Sequence, residues 1–169
     1  MTTAYLAIGS NLGDKYANCL KGVDKVDALD QTRVVAVSGF YRTEPVDFLD
    51  QAWFVNGALK IETKLEPLEL IHRLKETERL LGQMEKEVRF GPRIIDLDII
   101  LYGNTVMDTE ILTIPHPRMH QRCFVLKPLC DIGAQIVHPV LGETMERLLK
   151  RIENDPGQEV MAYTKGDQL

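Results

Sequence analysis

Apolar positions over Tyr5–Ile8 predict a short strand, ended by the turn-forming stretch Gly9-Ser10-Asn11-Leu12-Gly13. From about Asp14 the period changes, and Tyr16, Cys19, Leu20, Val23 and Val26 fall on one face of an amphipathic helix. Arg33–Tyr41, rich in Val and aromatic residues, predicts a second strand, and Trp53–Ile61 predicts a third. The polar linker between them, Thr43–Ala52, is long for a hairpin. Pro67 suits the first turn of a helix, and Leu70, Ile71, Leu74 and Leu81 give that helix an apolar face that ends at Gly82. A second long linker, 83–92, leads into the β-branched run Ile94–Leu101. The order β-α-β-β-α-β predicts an α+β, ferredoxin-like fold with both helices on one face of an antiparallel sheet. Beyond it, Gly103-Asn104 predicts a hairpin turn and Ile114–Arg118 an extended loop. C-terminal additions follow, with short helices over Phe124–Leu129 and Thr144–Ile152 and a polar, loosely ordered tail from about Asn154.

At 169 residues the chain is expected to form a single domain over 1–169 with a substantial core. A formal charge of −5 argues against a general nucleic-acid binder, although basic residues are dense between Lys86 and Arg122. The N-terminal residues lack the basic start and long apolar run of a signal peptide, and no stretch reaches the length of a membrane span. Cys19, Cys123 and Cys130 are odd in number and lack C-x-x-C spacing, which points to reduced thiols in a cytoplasmic protein, with Cys19 in the core.

The segment Arg89-Phe90-Gly91-Pro92-Arg93-Ile94-Ile95-Asp96-Leu97-Asp98 carries the most chemistry. In a strand, side chains alternate faces, so Asp96 and Asp98 share one face while Ile95, Leu97, Ile99 and Leu101 share the other and can pack a core. Two carboxylates this close repel unless a cation lies between them, and hard oxygen ligands on a strand suit a Mg²⁺ that also holds phosphates. Arg89 and Arg93 lie beside a Gly-Pro turn, where guanidinium groups can grip phosphate. Both long linkers flank strands of one sheet, the usual place for binding loops.

Four separated segments resemble one family. They are Ala7–Gly13, Phe40–Pro45, Arg89–Asp98, and Pro115-His116-Pro117-Arg118-Met119 with Arg122 and Phe124 following. Together they look like the 6-hydroxymethyl-7,8-dihydropterin pyrophosphokinases of folate biosynthesis. The resemblance implies a transferase that moves pyrophosphate from ATP to the pterin's hydroxymethyl oxygen, releasing AMP. It implies two Mg²⁺ ions on Asp96 and Asp98, and catalytic roles for Arg93, Asp96, Asp98, His116 and Arg122. The nucleotide would meet Glu78, Lys86, Arg89, Arg93, Ile99, His116 and Arg122. The pterin would lie among Thr43, Val46, Phe54, Asn56, Asp96 and Phe124. Taken alone, Phe54 and Phe124 read as core, and His116 as an exposed loop imidazole. Gly9, Ser10 and Asn11 are given a structural role, with Ser10 and Asn11 bonding locally.

The sequence departs from the family pattern in one place. Gln83 and Glu85 stand where many members carry arginines, acidic Glu85 and Glu87 would not help hold ATP, and Phe90 replaces a tryptophan. Lys86 and Arg89 are the remaining cations of that linker, so turnover rate is affected rather than reaction class. Two competing readings are a nucleotidyltransferase of the polymerase-palm kind and a non-catalytic small-molecule sensor. The first lacks a basic template surface, and the second leaves the Arg93/Asp96/Asp98/His116/Arg122 cluster without a role. The expected partners are the small molecules ATP and the pterin, with no nucleic acid and no membrane; a monomer is one expectation, and the sequence leaves association with other folate enzymes open.

Overall fold

The computed structural model of the chain describes residues 1–82 and 93–164. The expectations placed on Gln83, Glu85, Lys86, Glu87, Arg89 and Phe90 lie outside those residues. The element order is β1 (Thr2–Ser10), α1 (Lys15–Asp27), β2 (Thr32–Val37), β3 (Tyr41–Thr43), β4 (Phe54–Thr63), α2 (Pro67–Leu80) and β5 (Asp96–Tyr102). There follow β6 (Met107–Asp108), β7 (Thr113–Ile114), α3 (Cys123–Gly133), α4 (Met145–Ile152) and β8 (Val160–Ala162). The main sheet runs β5-β1-β4-β3-β8, with β2 also paired to β4, and its ladders are antiparallel. With β2 and β3 counted as one interrupted strand, this is the predicted ferredoxin-like arrangement.

Each face of the sheet carries its own core. On one side Leu6, Ile8, Leu59, Ile61, Ile95, Leu97 and Ile99 pack against α1 and α2 through Cys19, Val26, Leu70 and Leu74. On the other, Tyr5, Ala58, Ile100 and Leu101 meet Leu126 and Leu129 of α3 and Met145 and Leu148 of α4. The local signals behave as their chemistry requires. Asp14 caps α1 by accepting from the Ala17 N–H at 3.1 Å, and Pro67 occupies the first turn of α2. Leu20, placed on the buried stripe by its spacing, is instead 42% exposed, because Gly22 takes the close-packed position against Ile8 and Ile95.

The structure corrects the sequence in four further places. The predicted second strand breaks at Ser38–Phe40: the Ser38 hydroxyl takes over as acceptor for the Ala58 N–H at 2.7 Å, and the Gly39 N–H turns to Asp131 of α3 at 3.1 Å. Leu101 lies on the opposite face from Leu97 and Ile99, because Tyr5 and Leu6 pair with Leu101 and Ile99, leaving Ile100 as an extra bulged residue. Gly103-Asn104 is a turn, but β6 does not fold back on β5; it pairs with β7 in a separate two-stranded ribbon. The second of the C-terminal helices, α4, matches its predicted span to within a residue, whereas α3 runs on to Gly133.

The polar tail is also not loose as far as Tyr163. Its β8 pairs with β3, and the Tyr163 N–H donates to the Phe40 carbonyl at 2.8 Å while its ring stacks on Tyr16 at 5.0 Å. Glu44 and Glu159 exchange two bonds, and Gln158 Oε1 accepts from the Cys123 N–H at 2.9 Å, satisfying a donor at the start of α3. Truncation after Asn154 removes these bonds, each contributing about 1 kcal/mol net, and exposes β3 as an edge. The truncated chain is expected to unfold at a clearly lower urea concentration than the full chain; an unchanged midpoint would show that the tail contributes no stability.

Candidate active site

The strand register lays out a row of four residues across the sheet. Gly9 pairs with Asp96 on one side and Asn56 on the other, and Asn56 pairs in turn with Tyr41. The next row places Ala7 between Asp98 and Ala58. Directly paired residues point to the same face, so Asp96, Asp98 and Asn56 rise from one surface with only Ala7 and Gly9 between them. Adjacent strands lie about 4.8 Å apart, so this small-residue floor separates Asp96 from Asn56 by about 10 Å. Gly9 is obligatory there, since a Cβ on it would fall 2.2 Å from Asn56 Oδ1. The pocket over this floor is lined by Thr43, Val46, Asp47, Phe48, Gln51, Phe54, Arg93, Arg122 and Phe124 as well.

β5 is the edge strand, and this lets residues from the opposite face of the sheet reach the carboxylates. Lys75 on α2 extends round the edge, donating to the Leu97 carbonyl at 2.7 Å, Glu78 Oε1 at 2.9 Å and Asp98 Oδ1 at 3.2 Å. Asp96 Oδ1 lies 3.9 Å from the same ammonium. Glu78 Oε1 also accepts from the Leu97 N–H at 2.7 Å, so two side chains of α2 satisfy both backbone groups of one edge residue. Burial works against the Lys75 charge, but Asp98, Glu78 and Asp96 outweigh it and hold its pKa above the usual lysine value. Burial raises Asp96 and Glu78 above the ordinary carboxylate range; repulsion from Asp98 adds to it at Asp96, and from Asp96 at Glu78, while Lys75 pulls both down.

Asn11 assembles the near wall. Its backbone and Oδ1 exchange bonds with the Arg93 backbone at 3.0 and 2.7 Å, and its Nδ2 donates to Gln51 Oε1 at 2.8 Å and the Ala52 carbonyl at 3.2 Å. The expected local bonding fails for Asn11, because its side chain ties two linkers that are distant in sequence; Ser10, with its Oγ 3.4 Å from the Leu12 carbonyl, does bond locally. Lys15 reinforces the same linker, donating to the Trp53 carbonyl at 2.9 Å. Asn56 is buried and donates to Thr43 Oγ1 at 2.6 Å, which fixes its amide and leaves its Oδ1 and second N–H for other partners.

On the far wall, Arg122 has 14% of its side chain exposed, donates to Asp47 Oδ2 at 3.0 Å and lies 5.4 Å over the Phe124 ring. Burial lowers its pKa and Asp47 opposes that. His116 is half-buried rather than exposed: its backbone N–H donates to the carbonyl of bulged Ile100 at 3.0 Å, and its Nδ1 accepts from the Arg118 backbone N–H at 3.2 Å. Burial lowers the imidazole pKa, with Asp98 opposing. Because Nδ1 accepts that bond, Nε2 is the nitrogen left to carry the proton of the neutral ring.

Of the residues expected at the site, Thr43, Val46, Phe54, Asn56, Arg93, Asp96, Asp98, Arg122 and Phe124 line this one pocket. Phe54 and Phe124 are half-buried on its walls, not sealed in the core. His116 lies at the Asp98 side, whereas Glu78 packs beneath β5 and Ile99 buries its side chain in the helix-side core. Lys86 and Arg89 lie outside the described residues. The sequence missed Lys75, Asp47 and Gln51; for Asn11 it gave the structural role but not the distant partners. Only Lys75 had a legible signal, since it precedes Glu78 by one helical turn on the helix that packs under the Asp96/Asp98 strand.

Among the described residues no three His, Cys, Asp or Glu side chains converge as a metal cage. Asp96 and Asp98 offer carboxylate oxygens on one face and nothing softer. That donor set fits a Mg²⁺ completed by water and phosphate oxygens, and does not fit a structural zinc.

No helix among the described residues is long and apolar enough to cross a membrane. Residues 5–134 match the family model described as 7,8-dihydro-6-hydroxymethylpterin-pyrophosphokinase. A 2-amino-4-hydroxy-6-hydroxymethyldihydropteridine pyrophosphokinase of Bacillus subtilis is 44% identical over 133 residues, covering 79% of each chain. The folic acid synthesis protein fol1 of Schizosaccharomyces pombe is 38% identical over 164 residues, 97% of this chain but 22% of that protein. A crystal structure of Plasmodium falciparum HPPK-DHPS superposes with a TM-score of 0.70 at 16% identity, covering 89% of this chain and 43% of that one, which supports the fold alone. The chain thus spans about a fifth of the fungal relative and less than half of the parasite protein. With the motifs gathered at one pocket and most of the sequence matched, the chain belongs to the 7,8-dihydro-6-hydroxymethylpterin-pyrophosphokinase family.

Proposed function

We propose that this chain transfers the pyrophosphoryl group of ATP to the hydroxymethyl oxygen of 6-hydroxymethyl-7,8-dihydropterin, releasing AMP, in folate biosynthesis. The observation that carries the reading is the row Asp96–Gly9–Asn56, which puts a carboxylate pair and an aromatic-walled slot at opposite ends of one flat floor. A planar bicyclic ring fits between Phe54 and Phe124, with its amidine-like edge on Asn56 and its hydroxymethyl end toward Asp96. Thr43 holds the Asn56 amide in the orientation this needs, and Val46 closes the slot.

Asp96 and Asp98 would hold Mg²⁺, two ions in this proposal. Bound there, the metal supplies neutralisation of the phosphate oxygens and a lower pKa for the attacking hydroxyl. Arg93, Arg122 and the Nε2–H of His116 would receive the triphosphate from three sides, so that the leaving AMP and the attacking oxygen stand in line. Arg122 also lies over Phe124, but its guanidinium is held by Asp47 at 3.0 Å, independently of that ring. Ile99 would serve through its backbone. Leu97, two residues earlier, turns its N–H and C=O outward, and the strand period turns those of Ile99 outward too. An adenine laid along that edge would lie close to Glu78. Lys86 and Arg89 belong to the proposal by their place in the motif.

A single pyrophosphokinase domain over 1–169, acting as a monomer, is part of the proposal. The free thiols of Cys19, Cys123 and Cys130 fit a cytoplasmic setting. Incubation with ATP, Mg²⁺ and the pterin alcohol should yield AMP and the pterin diphosphate in equal amounts; formation of ADP, or no turnover, would contradict the assignment.

Asp96→Ala and Asp98→Ala should each fold normally and lose at least about a hundredfold in kcat, since removing a metal ligand costs several kcal/mol at the transition state. Retention of more than roughly a tenth of wild-type kcat in saturating Mg²⁺ would show that the pair does not hold the metal. Phe124→Ala should weaken pterin binding by roughly 5- to 150-fold, from about 1–3 kcal/mol of lost stacking, with ATP affinity nearly unchanged. Equal losses for both ligands, measured by calorimetry, would return Phe124 to a packing role.

A further inference from the structure

The four-residue charge cluster at the β5 edge contains a group that the proposed transfer does not use. Lys75 has three N–H donors, and they are all engaged, to the Leu97 carbonyl, Glu78 and Asp98. The contacts are unequal. Leu97 at 2.7 Å and Glu78 at 2.9 Å anchor the ammonium, whereas Asp98 at 3.2 Å and Asp96 at 3.9 Å hold it more loosely. The lysine stem comes from α2 on the opposite side of the sheet, and the side chain is half-exposed. It therefore occupies the space between two carboxylates that otherwise repel each other, without depending on them for its position.

We infer that Lys75 is the resident counter-cation of the Asp96/Asp98 pair, holding both carboxylates in place without metal and setting their affinity for a divalent cation by competing for the same oxygens. This rests on the reading of Asp96 and Asp98 as the metal ligands. When a divalent ion binds, the ammonium gives up its two weaker partners and keeps Leu97 and Glu78, so it remains beside the site as a like charge. Lys75 is thus a positioning residue. It keeps the empty site folded and the loaded site weakly enough bound for metal to exchange with each nucleotide.

The test is a Mn²⁺ titration followed by electron paramagnetic resonance, without nucleotide, on the full chain and on Lys75→Met, together with melting curves in EDTA and in Mg²⁺. Removing a positive charge a few ångströms from a divalent ion should tighten Mn²⁺ binding by at least about tenfold. Lys75→Met should melt below wild type in EDTA and recover most of that difference in Mg²⁺. Unchanged Mn²⁺ affinity, or a melting deficit of equal size with and without Mg²⁺, would leave Lys75 a purely structural contact and overturn the inference. If Lys75→Met does not fold, the Lys75 ammonium resonance of the wild-type chain decides the same point: it should shift on Mg²⁺ saturation, and a static resonance while metal binds overturns the inference. The Asp96→Asn/Asp98→Asn chain separates the two levels. Mn²⁺ binding that survives in it overturns the metal assignment and this inference together, whereas its loss there, with the Lys75 measurements unchanged, overturns this inference alone.

Discussion

Everything at this site depends on an edge strand that has to be apolar on one face and doubly charged on the other. Leu97 and Ile99 of β5, with Ile95 just before it, are buried against the α1/α2 layer, and that burial fixes the register presenting Asp96 and Asp98 to the pocket. A slip of one residue would exchange the two faces and drive both carboxylates into the core, so the hydrophobic effect specifies where the charges stand. The edge position matters equally. A central strand would have its backbone groups paired on both sides, whereas Leu97 is free to bond Lys75 and Glu78 of α2.

The bulge at Ile100 completes the arrangement. It rotates the end of β5 so that Ile100 and Leu101 join the α3/α4 core, and it leaves the Ile100 carbonyl to hold the His116 N–H. The rest of the pocket is gathered from distant segments by polar groups, buried at Asn11 and less so at Glu44 and Gln158. Asn11 links the Arg93 backbone to the linker before β4, and Gln158 and Glu44 link the tail to the walls formed by α3 and β3. Such bonds are worth little singly, but breaking the bond between buried Asn11 and the Arg93 backbone would leave a buried donor and acceptor unpaired, which is why it sets their positions firmly.

The sequence made the repeating parts of this fold legible. Period and end signals located α1, α2 and α4, and the alternation in Ile94–Ile99 put both carboxylates on one face. What stayed hidden depends on partners far along the chain. The break at Gly39 needs Asp131, the bulge at Ile100 needs the β1 register, and β8 needs β3 as a template. Lys75 is hard to find because a helix lysine usually faces solvent, and only the edge placement of β5 brings its ammonium round to the carboxylates. The motif residues Asn56, Phe54, Phe124 and Arg122 are legible through resemblance; their meeting in one pocket comes from the sheet register and from α3 crossing the same face.

On the reading proposed above, the Asp96/Asp98 face holds the metal-bound phosphates at one end of the Ala7/Gly9 floor and the pterin lies at the other. A crystal structure with Mn²⁺, a non-hydrolysable ATP analogue and the pterin alcohol would decide this, using the anomalous signal to place the metal. Mn²⁺ should be coordinated by both carboxylates, with the pterin between Phe54 and Phe124, its edge on Asn56 and its hydroxyl facing the β-phosphorus. Metal bound away from Asp96 and Asp98, or a pterin outside the aromatic slot, would contradict that arrangement.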